Sequence, residues 1–279
     1  LISILILTKN EERDLPACLA SVAWCDDIHV LDSGSTDGTC EIARRHGARI
    51  MVRTYADSAR IFGGDEAGHR NWGLRNTAFK HPWVLLLDAD ERVTPELKAA
   101  VIAAAAAPGD HVAFRIRRRD FLRQTWLKHV QTSPFYLRLF RPEKMHYERV
   151  VNCVSVADGA VGSVAGYLDH YPFSKGMGHW LERHNSYSAL EARQIVENRR
   201  AHASFSPRKA FFAADFHERR FHQKELFYRL PLRPIVKFVI LYFGKRGFLD
   251  GHAGLTYAVL QAIYEYMIVL KVRELEYTS

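Results

Sequence analysis

Cysteine is scarce in this sequence. Its four cysteines, Cys18, Cys25, Cys40 and Cys153, have neither C-x-x-C spacing nor a histidine at finger spacing. That argues against a zinc site and a disulfide framework, and fits reduced, mostly buried thiols. No stretch of about 18 or more uncharged apolar residues occurs, so no transmembrane helix is expected. The chain opens on an apolar run, Leu1 to Thr8, without the basic flank or cleavage site of a signal peptide, and the expectation is a cytosolic protein. G-x-G-x-x-G and Walker loops are also missing, which argues against a dinucleotide oxidoreductase or a P-loop ATPase.

What is present is a globular composition. Of 279 residues, 48% are hydrophobic and 25% charged, enough for one large or two small domains with a real core. The net charge of +8 is uneven: Tyr171 to Ser279 holds 17 Lys+Arg against 10 Asp+Glu, while the first 170 residues hold 22 against 21. A basic excess at one end fits either a solvated face or a surface that meets phospholipid headgroups or nucleic acid.

The first 120 residues alternate short apolar runs with helix-like segments. Ile2–Leu7, Ile28–Leu31, Arg49–Val52 and Trp83–Leu87 read as strands. Leu15–Val22 and Thr39–His46 read as helices, the first capped by Asp14 and the second closed by Gly47. Strand alternating with helix implies right-handed crossovers and a doubly wound, mostly parallel α/β sheet. Thr94-Pro95 opens an Ala-rich helix over 96–107, and strands are expected around 112–116, 135–140, 150–156 and 160–164. From His179 the chain turns helical, near 179–198, 206–222, 234–246 and 251–274.

In doubly wound sheets ligands bind beyond the carboxyl ends of the strands. Three polar clusters fall there: Thr8-Lys9-Asn10-Glu11, Asp32-Ser33-Gly34-Ser35 and Asp88-Ala89-Asp90. Two carboxylates at i, i+2 after a buried strand suit Mg²⁺ or Mn²⁺ bound jointly with substrate phosphate, whose leaving charge the metal neutralises. Asp32 stands where an acid reads a ribose hydroxyl or base edge, whereas Asp37 is either a ligand contact or a helix N-cap. Arg70, on a helix opening near Gly63-Gly64-Asp65, is either a diphosphate-side cation or a surface arginine.

Three motifs together, Ser3-Ile4-Leu5-Ile6-Leu7-Thr8-Lys9-Asn10-Glu11, Leu31 to Thr39 and Leu87-Asp88-Ala89-Asp90-Glu91-Arg92, resemble the family 2 glycosyltransferases of the GT-A fold. The likeness is to the bacterial branch with lipopolysaccharide-core glucosyltransferases. It extends through Arg138-Leu139-Phe140-Arg141, 175–192 and Gly247-Phe248-Leu249-Asp250-Gly251. The resemblance implies that Thr8, Lys9 and Glu11 line a nucleotide site, with Asp32 and Asp37 facing base and ribose and Arg70 beside the diphosphate. Asp88 and Asp90 would hold the metal and the sugar, with His170 either completing the metal shell or serving as a hydrogen-bonded histidine at a strand end.

One departure concerns the base that deprotonates the acceptor hydroxyl in an inverting displacement. The branch often carries a Val-His-Glu or Val-Asn-Glu segment, and here the stretch reads Val151-Asn152-Cys153. Glu148 and Glu91 are the remaining candidates. A cysteine in that position also fits a non-catalytic nucleotide-sugar or membrane-binding subunit. Nucleotidyl transfer on a related sheet is disfavoured because a phosphate-cradling Gly-rich loop is lacking.

Arg199 to Arg246 holds 12 Lys+Arg and 3 Asp+Glu, interleaved with Phe and Tyr, as suits a helical segment in a headgroup layer. The last helix reads as core packing. No RNA- or DNA-binding module accompanies the charge, so no nucleic-acid partner is expected. The expected organisation is a GT-A domain over 1–175 and a helical basic region over 176–279 on the membrane and acceptor side. The expected substrates are a UDP-sugar donor and a lipid-linked saccharide acceptor at the inner membrane face.

Overall fold

The structure of the protein, a computed structural model, describes residues 1–56, 61–148, 153–200, 205–214 and 216–277. β1 (Ile2–Thr8) is seven consecutive buried residues, as a strand covered on both faces requires. It is followed by α1 (Leu15–Ser21), β2 (Ile28–Asp32), α2 (Thr39–Arg45), β3 (Arg49–Val52), α3 (Glu66–Asn76) and β4 (Trp83–Asp88). β3, β2, β1 and β4 pair in parallel in that order. The register sets Thr8 opposite Asp32 and Leu7 opposite Asp88, so the three polar clusters leave the sheet at one level. Gly47 takes φ +73° behind α2, and Thr94 Oγ1 accepts the Leu97 N–H at the start of the Ala-rich helix, both as their residue types dictate. Asp14, expected as a side-chain cap, makes no capping bond; its carboxylate instead receives Ser174 Oγ and Arg92.

The second half of the sheet is mixed. β5 (Glu91–Val93), α4 (Pro95–Ala106), β6 (His111–Leu122), the two-residue β7 (Thr125–Trp126), β8 (Phe135–Phe140), β9 (Met145–Glu148), β10 (Val154–Ala157) and β11 (Ala160–His170) follow. The sheet order is β3-β2-β1-β4-β8-β6-β11-β5. β8 runs antiparallel to both β4 and β6, because no helix intervenes after β6 to carry the chain back. β11 extends the strand expected over 160–164 as far as His170 and lies parallel to β6. β9 and β10 form a separate two-stranded ribbon. The strand expected over 150–156 is described only from 153 onward, and Val151 and Asn152 lie outside the described residues.

The chain divides into two compact units: 1–123 with 133–174, and 124–132 with 175–279. The second is helical: α5 (Met177–Arg200), α6 (Pro207–Phe212), α7 (Phe216–Tyr228), α8 (Arg233–Val239) and α9 (Gly251–Tyr277). The single helix expected over 206–222 is thus two helices, α6 ending at Ala213 in extended backbone. α8 continues into a π turn, Ile240–Gly244, closed by a Lys245 N–H to Ile240 O bond. α9 packs one face on α5, where Ile268 and Val272 meet Ala192, Ile195 and Val196. Asp250, just before α9, accepts the backbone N–H groups of His129 and Val130, tying 124–132 into this unit.

Candidate active site

The loops after β1 and β2 are laced to each other. Thr8 Oγ1 donates to Asp32 Oδ1 at 2.9 Å, and Lys9 Nζ donates to the carbonyls of Ser33 and Gly34. Asn10 takes Thr36 N–H on its side chain and gives its own N–H to Ser35 Oγ, while the Glu11 N–H goes to Thr39 Oγ1. Gly34, at φ +81°, supplies the left-handed turn that brings these groups round.

Asp32 is completely buried. Its Oδ2 accepts the N–H groups of Gly34 and Ser35, and its Oδ1 accepts Thr8 and Ser35 hydroxyls. With four donors Asp32 anchors the loop. Asp37 Oδ1 accepts Thr39 N–H and Oγ1 from just before the N-cap of α2, which is Gly38 and not Asp37. Between Asp32 and Asp37, the buried Ser33 hydroxyl has no hydrogen-bond partner among the described residues.

At the end of β4 the carboxylates do different work. Asp88 Oδ1 receives Arg70 at 3.2 Å and Asp88 Oδ2 receives Arg138 at 2.7 Å. Arg70 is therefore not a surface arginine; it is 8% exposed, is held by Glu66, and lies over the Tyr147 ring. Arg138 is aimed by a β-bulge. Phe114 pairs with Leu139 and Arg115 with Leu137, which leaves Arg138 as the extra residue of β8, turned toward the loop. Burial would raise the Asp88 carboxyl, but Arg138 and Arg70 outweigh it and hold it far below the usual carboxylate range. Both Asp88 oxygens thus already accept guanidinium groups.

Glu91, one of the base candidates, is enclosed. It is 0% exposed, accepts Asp88 N–H on one oxygen and Arg138 on the other, and lies 3.8 Å from Arg118. Burial raises its pKa, and no acceptor hydroxyl reaches a group so enclosed. It is the keystone that shapes the Asp88–Asp90 loop.

Asp90 faces a histidine. Its Oδ2 lies 3.2 Å from His170 Nε2, and His170 Nδ1 lies 2.5 Å from Asp120 Oδ1, which Arg118 Nε pairs at 3.0 Å. Among the described residues no group of three or more His, Cys, Asp and Glu side chains forms a ready metal cage. The donor set nevertheless fits a divalent cation bound by two protein ligands and completed by phosphate and water. A carboxylate behind a histidine fixes the tautomer that leaves Nε2 as the ligating atom. Burial lowers the His170 pKa, but Asp90 and the Asp120 bond outweigh it and push it up to about 9. In metal-free protein this pair stabilises the fold fully below the unfolded histidine pKa of about 6.5 and is lost as pH rises through about 9. The thermal midpoint should therefore fall by several degrees between neutral pH and pH ~10, and Asp90→Asn should flatten that fall; an unchanged slope would contradict the pairing.

Glu148 is exposed at the end of β9, beside His146 at 3.1 Å. Side chains alternate along a strand, and Tyr147 is the one that packs on Arg70, so Glu148 lies on the opposite face of β9. Glu148 therefore faces away from Arg70, whereas Glu91 adjoins the Asp88–Asp90 loop but is enclosed. Cys153 packs against the cluster that contains Tyr147, and burial pushes its thiol up to about 11. It is protonated at neutral pH and cannot take a proton there. Cys153→Ser should accordingly leave the turnover rate within about twofold; a loss beyond tenfold would give the thiol a chemical role.

Arg138, Arg118, Asp120 and Tyr147 complete this centre without having been singled out in the sequence. The signal for Arg138 was a cation flanked by leucines in a buried strand, which demands a buried carboxylate partner.

The Glycosyl transferase family 2 model matches residues 3–168 of the chain. The chain is 30% identical over 274 residues to the lipopolysaccharide core biosynthesis glycosyltransferase LpsC of Rhizobium meliloti (strain 1021), covering 94% of this chain and 90% of that one. Among solved structures it is similar to S. aureus TarS 1-349, at 16% identity and TM-score 0.42, over 100% of this chain and 92% of that one. It is also similar to M. tuberculosis glucosyl-3-phosphoglycerate synthase in complex with Mn²⁺, UDP and glucosyl-3-phosphoglycerate. There the identity is 24% and the TM-score 0.33, over 43% of each chain.

Proposed function

The chain belongs to family 2 of the glycosyltransferases, and from that premise we propose that it moves a sugar from a UDP-sugar to a lipid-linked or lipopolysaccharide-type acceptor with inversion at the anomeric carbon. The observation that carries the reading is the split of the D-x-D pair, with Asp88 clamped by two arginines and Asp90 turned to His170. Asp90 and His170 would hold Mg²⁺ or Mn²⁺, which neutralises charge on a departing diphosphate. Arg70, nearly buried beside Asp88, supplies a fixed cation for the same phosphates. The Ser33 hydroxyl and the Gly34–Ser35 turn receive the nucleoside. Asp120 and Arg118 keep His170 oriented, and Glu91 with Arg138 keeps the loop in place.

The sheet unit then does the chemistry, while the helical unit, over most of 176–279, serves the acceptor and the cytoplasmic membrane surface. The basic excess of that end and the relative active in lipopolysaccharide core biosynthesis support this division. Incubating the enzyme with radiolabelled UDP-sugars, Mn²⁺ and bacterial envelope lipid should move label into the lipid fraction. Absence of transfer from every nucleotide sugar, with UDP binding intact, would overturn the transfer reading.

A further inference from the structure

Large apolar side chains lie exposed along α8 and the π turn behind it: Leu232 at 72%, Ile235 at 58%, Val239 at 47% and Phe243 at 58%. Their spacing of three, four and four residues puts them on one face. Phe248 and Leu249 continue the exposed apolar surface in the turn before α9. Exposed Arg229, Lys245 and Arg246 border it.

Negative charge is sparse here: exposed Glu276 lies beside Leu232 and Ile235 and is paired with Arg199. Between Arg229 and Leu270 the sequence has two carboxylates, Asp250 and Glu265, and both are buried. Asp250 is spent on His129 and Val130, and Glu265 sits between Arg233 at 3.3 Å and Lys237 at 3.7 Å. Soluble monomers seldom expose an apolar patch of this extent. A second copy of the chain would set cations against cations, with Glu276, already paired with Arg199, as the carboxylate at the edge. An anionic lipid surface answers both features, taking the apolar face into the acyl boundary and the cations at the headgroups.

We propose that α8 and its π turn are a membrane-inserting edge, which lies in the interface of an anionic bilayer and anchors the protein there. This deepens the membrane part of the function proposed above and rests on it. Gly247–Tyr277 is long and apolar enough to cross a bilayer by length and composition. However, α9 buries one face on α5 and holds Glu265 in ion pairs with α8, so the pair lies along the surface instead of spanning it.

The test is flotation of the full chain with vesicles, without donor, acceptor or metal. Wild type should float with phosphatidylethanolamine–phosphatidylglycerol vesicles and sediment with phosphatidylcholine alone. Ile235→Glu combined with Phe243→Glu should lower the bound fraction about tenfold, with an unchanged circular-dichroism melt. Phe243→Trp should add an emission component that brominated lipid quenches, over and above any quenching of the five native tryptophans in wild type. Wild type that stays with the pellet in both lipids, or a double variant that floats like wild type, would overturn the proposal. So would a dimer in light scattering that the double variant dissociates. No sugar nucleotide enters the assay, so failure here leaves the transfer reading intact, and failure of donor binding leaves this one intact.

Discussion

Replacing Asp90 with Asn should abolish sugar transfer, by on the order of a thousandfold, while leaving the fold intact. A metal that neutralises phosphate charge contributes several kcal/mol to the transition state, and that many kcal/mol corresponds to a rate factor of about this size. The Asp90 side chain is 18% exposed and faces His170 at 3.2 Å, so losing its charge leaves no buried cation without relief: His170 sheds its proton and keeps Asp120. The variant should also lose the stabilisation that UDP with Mn²⁺ gives wild type, about 2.7 kcal/mol at a hundredfold excess over the dissociation constant. His170→Ala should do the same to metal-dependent stabilisation. Asp120→Asn should weaken metal binding by roughly ten- to a hundredfold without abolishing it, as a residue that orients a ligand does. Asp90→Asn with wild-type turnover in EDTA would remove the metal from the mechanism.

Replacing Arg138 with Ala should cost about 3–5 kcal/mol of stability, the largest effect of any single change in this centre. Arg138 is 5% exposed and bonds both Asp88 and the wholly buried Glu91 through one nitrogen at 2.7 Å. Its removal strands the Glu91 charge in the interior, where Arg118 at 3.8 Å is the nearest replacement. Glu91→Gln should be much milder, because an amide still accepts the Asp88 N–H and leaves Arg138 paired to Asp88. Urea unfolding of the three proteins orders them directly. Arg70→Ala should cost less stability than Arg138→Ala, since Asp88 keeps Arg138 and Glu66 is 41% exposed, but should weaken UDP binding. If Arg138→Ala proved as stable as wild type, the Asp88–Arg138–Glu91 unit would not be the support of the loop.

The parallel half of the sheet was legible because its code is local. An apolar run of strand length with a polar exit recurs three times, and parallel register brings Thr8, Asp32 and Asp88 level without further information. Asp88 and Asp90 could be found for the same reason, yet their separate partners could not. Arg138 reaches Asp88 only because a bulge in β8 turns it, and a one-residue register shift leaves no trace in the pattern Phe-Tyr-Leu-Arg-Leu-Phe. Asp120 meets His170 through the pairing of two strands 50 residues apart, a non-local contact that periodicity does not encode. The loop role of Asp32 was not legible, because an acid at a strand end serves equally as a ligand contact or as an acceptor for its own loop. The donors around it, Thr8, Gly34 and Ser35, show the second role. His170 stood in the sequence by resemblance alone, and its geometry with Asp90 gives it a physical reason.

The most direct measurement is calorimetric titration of UDP into the full chain, with Mn²⁺ and then with EDTA, for wild type and for Asp90→Asn. Wild type should bind at least about tenfold more tightly with Mn²⁺, and Asp90→Asn should show the same weak binding in both conditions. Equal affinity of wild type with and without metal, or an undiminished metal effect in Asp90→Asn, would contradict the claim that Asp90 and His170 hold a cation for the donor's phosphates.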